Sequence, residues 1–347
     1  MKYLNAPKRA VALRDHDADS LRRSASGGAF ALFARLIIAQ GGVVFGSKMF
    51  DDGFARHIGV DDLASIEELQ GSKYVQSLVG DTYQDCLKCI RDNRVVLYSG
   101  TPCQIYALRA FLERAHVTDE ELKRLVCVDL ICHGTPCPDL FRLHQDWLGE
   151  KHGADNGIHG YVFRSKLIEW GLYYYYYYNK HGSKHEVFGS VEEDPYYKAF
   201  LECGIFRKGC YKCPFAQGKR VGDLTIGDYW GIEVEHPEFD VEGGCSAVLI
   251  NTDKGEAVLN SCCSDCDLLE SSFEQVAKHN VNLLHPSVLP ESYCERRDAI
   301  DRAVRSGDYH KLFDELLVVR LTPRQKLKKC IPLGVLLKLR RLKSLIR

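Results

Sequence analysis

Over the first 140 residues, short apolar runs alternate with stretches whose apolar positions recur at helical spacing. Residues 10–14 (AVALR) read as a strand, and Gly28 to Gln40 as a helix ended by Gly41-Gly42. Residues 43–50 (VVFGSKMF) and 56–60 (RHIGV) are strands by their β-branched and aromatic content. Asp61 or Asp62 can cap a short helix through Leu69, and residues 80–92 form a further helix. Next come a strand at 95–100 (VVLYSG), a helix from Pro102, a strand at 125–131 (LVCVDLI) and a helix from about Pro138. This alternation predicts an α/β, mixed α+β, fold whose parallel or mixed sheet is covered by helices on both faces.

The pattern changes after residue 155. YVFRS, the run Tyr173–Tyr178 and KHEVFG predict a strand-rich insertion, with the tyrosine run a strand that keeps one wet face. Residues 195–231 concentrate Cys, Gly and aromatics, and 246–252 (SAVLINT) returns to the earlier alternation. Three regions are expected: an N-terminal α/β region at 1–98, a cysteine-bearing region at 99–270, and a helical tail at 271–347 ending in a basic segment.

Composition narrows the class. The 347 residues are 45% hydrophobic and 27% charged, which is globular, and 46 basic against 47 acidic side chains give no field that would recruit nucleic acid. No stretch has signal-peptide or membrane-span character, so a soluble, cytoplasmic protein is expected. The basic residues are unevenly placed: nine fall in Arg324–Arg347 with no acid among them, leaving 37 against 47 elsewhere. That segment is either an amphipathic helix touching anionic lipid or an acidic redox partner, or a solvated tail.

Fifteen cysteines do not fit an ordinary core. An odd count in a long chain argues against a secreted disulfide framework and for metal or redox chemistry. In VLYSGTPCQI a strand ends at Ser99-Gly100, Thr101 caps a helix, and Cys103 sits in its first turn, where the helix dipole favours thiolate. In VDLICHGTPCP a second strand ends at Cys132-His133. If the two strands are adjacent and parallel, both thiols emerge in the crevice where open α/β sheets bind ligands. Cys210-x-x-Cys213-Pro214 is a two-ligand hairpin for zinc or iron–sulfur, and with Cys103 and Cys132 it completes four thiolates.

Cys86 with Cys89, and Cys263 with Cys266, share the C-x-x-C spacing but sit in helical contexts and read as core, as does Cys127 in its strand. Cys137 and Cys203 are spare ligands. His133 is either a proton donor or a strand-end histidine bonded to backbone.

Two glycine loops are candidates for a phosphate-bearing cofactor. SASGGAF places Ser24, Ser26, Gly27 and Gly28 at a helix start, and GSKYVQS carries Gly71, Ser72, Lys73, Tyr74 and Gln76. Lys73 can meet a phosphate or the electron-rich edge of a flavin. Neither loop matches the dinucleotide fingerprint or the Walker loop. In DLTIGDYWG, which ends with Asp228, Tyr229 and Trp230, the tryptophan either shields a cofactor or is core.

Taken together, SASGGAF, GGVVFG, GSKYVQS, SGTPCQI, DLICHG, DPYYKAF, CYKCPF and GDYWG resemble, in order, the motifs of the beta subunits of coenzyme F-420 hydrogenases and dehydrogenases and their bacterial relatives. The resemblance implies an oxidoreductase in which electrons pass between a [4Fe–4S] cluster and FAD, and on to an organic substrate or deazaflavin-like coenzyme. It implies cluster ligands at Cys103, Cys132, Cys210 and Cys213. FAD would lie across the two glycine loops and the turn Ser99-Gly100-Thr101, with His133 and Lys73 catalytic. The ferredoxin run C-x-x-C-x-x-C-x-x-x-C-P of many bacterial relatives does not occur, so electrons are expected to come from a separate ferredoxin or other redox protein. SASGG also stands where SSSGG is more usual. The rival reading is a zinc-stapled, non-catalytic binding or partner-docking subunit.

Overall fold

The structure is a computed structural model and describes residues 2–166 and 171–323, so the basic segment 324–347 lies outside the described residues. Its strands are β1 (Arg9–Asp15), β2 (Val43–Met49), β3 (Ala55–Val60), β4 (Val96–Gly100), β5 (Leu125–Leu130), β6 (His159–Ser165), β7 (Leu172–Tyr178), β8 (Lys184–Gly189), β9 (Leu224–Asp228), β10 (Ser246–Ile250) and β11 (Cys266–Ser271). Eight of them form one sheet in the order β11-β1-β10-β9-β5-β4-β2-β3. The four strands β2, β4, β5 and β9 run parallel, and antiparallel strands flank them on both sides. The predicted α/β class with a mixed sheet is therefore what forms, and the sheet draws strands from both sides of residue 98.

Helix Ala29–Ala39 buries Phe33 and Ile37 on one face of this sheet, against Val11, Val44, Leu97 and Val248. Helices Thr82–Arg91 and Pro102–Arg114 cover the other face, with Ile90, Ile105 and Leu108 against Tyr98 and Leu125. Cys86 and Cys127 are wholly buried there as small apolar groups, as expected. Cys266 departs from expectation. It opens the edge strand β11 rather than lying in a helix, because Cys266–Asp15 to Ser271–Ala10 pairing with β1 outweighs local helical spacing.

The strands β6, β7 and β8 form a separate antiparallel sheet. In β7, Tyr173 and Tyr175 are buried while Tyr174 and Tyr176 are part exposed, the alternation a half-buried strand requires. The buried rings pack with Phe141, Tyr161, Phe163 and Tyr196 into a second, aromatic core. The polar centre of that core is Asp194, which accepts from Tyr161 Oη (2.9 Å) and lies 3.0 Å from His144 Nε2.

Candidate active site

β4 and β5 are adjacent and parallel, with Ser99 opposite Val128 and Gly100 opposite Asp129. Both chains therefore leave the sheet at the same edge. At the first, Thr101 closes the turn by donating its N–H to Gln104 Oε1 (3.0 Å), and Cys103 enters the first turn of helix Pro102–Arg114 with its sulfur 3.2 Å from Thr101 Oγ1. At the second, Ile131 N–H donates to Ile226 O (2.9 Å), carrying the chain on to Cys132, His133 and Gly134. Gly134 holds φ +130°, and a Cβ there would stand 2.4 Å from the Phe206 ring, so only glycine lets this turn close.

The third segment docks onto that turn. Arg207 N–H donates to Thr135 O (2.9 Å), and the tight helical turn Lys208–Lys212 brings Cys210 back toward the same carbonyl. Cys103, Cys132, Cys210 and Cys213 consequently line one small cavity of about 30 Å³. Burial pushes the Cys132 thiol up to about 12, and the other three thiols add to it. Cys213 is raised by burial as well. At these two positions burial favours the neutral thiol over the thiolate.

Beneath the cavity, the fully buried Arg220 donates to Asp129 Oδ1 (3.1 Å) and Leu130 O (2.9 Å). Arg220 and Arg207 both line the cavity, and its lining includes no carboxylate. Among the described residues, no three Cys, His, Asp or Glu side chains close around a single metal ion. The donor set, four thiols over an arginine floor, is the kind an anionic iron–sulfur cluster takes, and the cavity of about 30 Å³ would have to widen to admit one. Cys203 and Cys137 are not part of this lining. Cys203 borders a second cavity, and Cys137 packs against the aromatic core at the start of helix Pro138–His152.

The second cavity is large, about 340 Å³, and shares Thr101, Cys132, His133, Gly134 and Thr135 with the first. It takes in Ser24, Ser26, Gly28, Gly71, Ser72, Lys73, Tyr74, Ser99 and Gly100 as well, joining the two glycine loops to the ends of β4 and β5. The loops are tied to each other by Gln70 Nε2, which donates to Ser20 O and to Ser24 Oγ, both at 3.0 Å. Tyr74 stacks on Phe200 at 4.2 Å, giving the cavity an aromatic wall. Glycine-lined backbone on one side, flat apolar rings on the other and a few polar groups between them fit a planar, phosphate-bearing cofactor.

Two predicted cofactor residues lie outside the lining, for physical reasons. A Cβ on Gly27 would stand 2.2 Å from Leu13 O and 2.4 Å from Ser246 N, so this glycine is required for close approach to β1 and β10. Gln76 accepts from Thr135 Oγ1 (3.0 Å) and binds the second glycine loop to the cysteine turn from behind. Lys73 does line the cavity, but its ammonium donates to Leu69 O (2.9 Å) and Gln70 O (2.6 Å) at the end of helix Ile66–Leu69. Burial lowers Lys73 to about 7. His133 sits on the shared wall with part of its surface exposed; the protein around the ring lowers its pKa, Arg164 adding and Asp228 opposing.

Two residues of the large cavity, Arg164 and His57, had no assigned part in the sequence. Arg164, buried in β6, donates to Asp228 Oδ2 at the end of β9, bridging the small sheet to the large one across the cavity. Its guanidinium lies 5.6 Å from the ring of Trp230, which is 39% exposed at the cavity rather than in the core; Tyr229 is the buried neighbour. His57 is buried with Ser77 Oγ 2.8 Å from Nδ1 and Ser99 O 3.0 Å from Nε2, an environment suited to the neutral ring with its proton on Nε2. Burial lowers His57 to about 4. Alternation in β3 was the available signal for His57, since it faces inward with Ala55. For Arg164 it was a lone cation in the apolar strand YVFRS.

The family model that describes the C terminus of the coenzyme F420 hydrogenase/dehydrogenase beta subunit matches residues 93–275, more than half of the chain and all four convergent cysteines. The chain belongs to this family. As a member of a hydrogenase/dehydrogenase beta-subunit family it is a redox protein by class. Among solved structures it is similar to a chain of the xenon-derivatised F420-reducing [NiFe] hydrogenase complex from Methanosarcina barkeri. The identity is 16%, the match covers 87% of this chain and 94% of that one, and the TM-score is 0.50, which speaks to the fold. No curated protein matches the chain. Within this beta-subunit fold, no helix among the described residues is long and apolar enough to cross a membrane.

Proposed function

We propose that this beta-subunit relative is a flavin- and iron–sulfur-dependent oxidoreductase, with a [4Fe–4S] cluster on Cys103, Cys132, Cys210 and Cys213 and FAD in the large cavity. The observation that supports it most is the wall common to both cavities, Thr101 and Cys132–Thr135, across which the two cofactors would be neighbours. When bound, the cluster would supply single-electron transfer and the flavin two-electron exchange with an organic substrate or deazaflavin-like coenzyme.

The chain's own residues would hold and orient these groups. Ser24, Ser26, Gly28, Gly71 and Ser72 line the phosphate side, while Tyr74 offers an apolar face. Lys73 acts as a positioning residue, fixing its loop through the Leu69 and Gln70 carbonyls. His133 serves as proton donor, a role supported by its position on the shared wall. The region 1–98 contributes the two glycine loops, 99–270 the thiols, and 271–323 a mostly helical continuation. On this reading electrons are exchanged with a separate redox protein in the cytoplasm; the similar hydrogenase chain is itself part of a complex.

The test is an absorption spectrum of protein purified without oxygen, with iron, sulfide and flavin assayed on one sample. Flavin bands over a broad thiolate-to-iron shoulder and about four irons per chain are expected. Cys103→Ala and Cys213→Ala should lose iron while Cys86→Ala keeps it. A colourless protein holding stoichiometric zinc, or equal iron in all three variants, would overturn the assignment.

A further inference from the structure

The rim of the cysteine cavity has its own charge pattern. Residues 99–112, 131–138, 203–222 and 279–290 supply the cavity lining, and none of these segments contains Asp or Glu, in a chain with 47 acids. They do contain Arg109, Arg207, Lys208, Lys212, Lys219 and Arg220. Arg109 and Arg220 point inward, to Asp223 and Asp129. Lys208 lies near Asp298 and Asp301 at 3.8 and 3.4 Å. Arg207, Lys212 and Lys219 are exposed.

Beside them the segment that contributes Asn282, Pro286 and Ser287 to the cavity exposes Val281, Leu284 and Val288, the last at 76%. Cys103, at the cavity itself, is exposed too. Apart from Lys208, which Asp298 and Asp301 offset, the exposed cations Arg207, Lys212 and Lys219 form no ion pair among the described residues, and an apolar patch beside exposed cations suits a small, transient interface.

We propose that this rim, Arg207, Lys212 and Lys219 with Val281, Leu284 and Val288, is the docking surface for a small acidic electron-carrier protein. The inference rests on the cluster assignment above and adds where the carrier binds and by what chemistry. Charge complementarity selects the occupant. A twofold contact between two copies would set basic rim against basic rim, whereas an acidic carrier is attracted and steered to the exposed thiol edge.

The experiment uses the full-length protein purified without oxygen, with an acidic bacterial two-cluster ferredoxin as probe, and binding measured at low and high salt. Affinity should fall about tenfold or more between about 0.02 and 0.2 M salt, because the contact is between exposed charges. Lys212→Glu/Lys219→Glu should weaken binding about tenfold with iron content unchanged. Leu284→Ser/Val288→Ser should speed dissociation and leave the salt dependence intact.

Salt-independent binding, or equal binding by the charge-reversed variant, overturns the surface. So does ferredoxin that fails to bind an iron-loaded wild type. Loss of anionic-vesicle binding or of self-association in the charge-reversed variant, with ferredoxin binding unaltered, would assign the rim to a membrane or to a second copy instead. A wild type free of iron overturns the cluster reading first, and the docking role with it.

Discussion

The two adjoining cavities are built by opposite means. The small one is made of side-chain chemistry, four thiols from three separate segments over an arginine floor. The large one is made mostly of space, with backbone turns and glycines on one side and aromatic rings on the other. A covalently ligated group needs donor atoms, so it leaves a spacing signature; a cofactor held by shape and hydrogen bonds needs room that many sequences can supply. The two meet at Cys132-His133-Gly134-Thr135, so a change there touches both, while changes elsewhere should separate them.

The sharpest break is in the floor of the small cavity. Arg220→Met would leave the Asp129 carboxylate buried with, among the described residues, only the Val221 and Gly222 amides as hydrogen-bond partners, costing about 3–5 kcal/mol. Urea unfolding should show it, and a loss under 1 kcal/mol, about the worth of a surface pair, would mean that the pair is not needed.

His57 sharpens the large-cavity side through pH. Folding keeps its ring neutral down to about 4, whereas in the unfolded chain it titrates at 6.5. Between those values the unfolded state binds the extra proton, so the stabilisation is complete above 6.5 and drains away as the pH falls toward 4. The full span is worth about 3 kcal/mol. Unfolding free energies of wild type and His57→Gln should therefore diverge in slope over that window, and parallel curves would remove His57 from the account.

Gly134→Ala strikes the shared wall. A methyl group 2.4 Å from the Phe206 ring at φ +130° should cost about 2 kcal/mol. Iron and flavin content should drop together; loss of one alone would show that the cavities are independent. The smallest effect is expected of Cys86→Ala. It leaves a small void beneath the sheet, costs about 1 kcal/mol, and changes neither cofactor. Thermal unfolding and an iron assay check both halves of that statement.

Much of the fold, and the local structure around several candidate site residues, were legible in the residues. The strand, Thr101, Pro102, Cys103 series is local chemistry: a chain ending its ladder, a cap, and a proline where no N–H is needed. The tyrosine run is legible because alternation is intrinsic to a pleated strand. Lys73 and Gly27 show the limit. Each residue type suits a phosphate site, yet Lys73 donates to the end of its own preceding helix, and Gly27 is demanded by two strands far from it in sequence. Cys266 shows another limit, since β1 as a partner converts a helical-looking spacing into an edge strand.

The sequence by itself determined which residues could chelate and which turns could expose them, because thiol spacing, capping and glycine's conformational freedom act within a few residues. Only the tertiary structure decided that β4 and β5 lie side by side, that Arg220 reaches Asp129, and that Arg164 in the small sheet meets Asp228 in the large one. Those pairings span 64 residues or more in the case of the two arginines, and no local preference encodes them. They arise because a buried charge must find its counter-charge wherever packing brings one within reach.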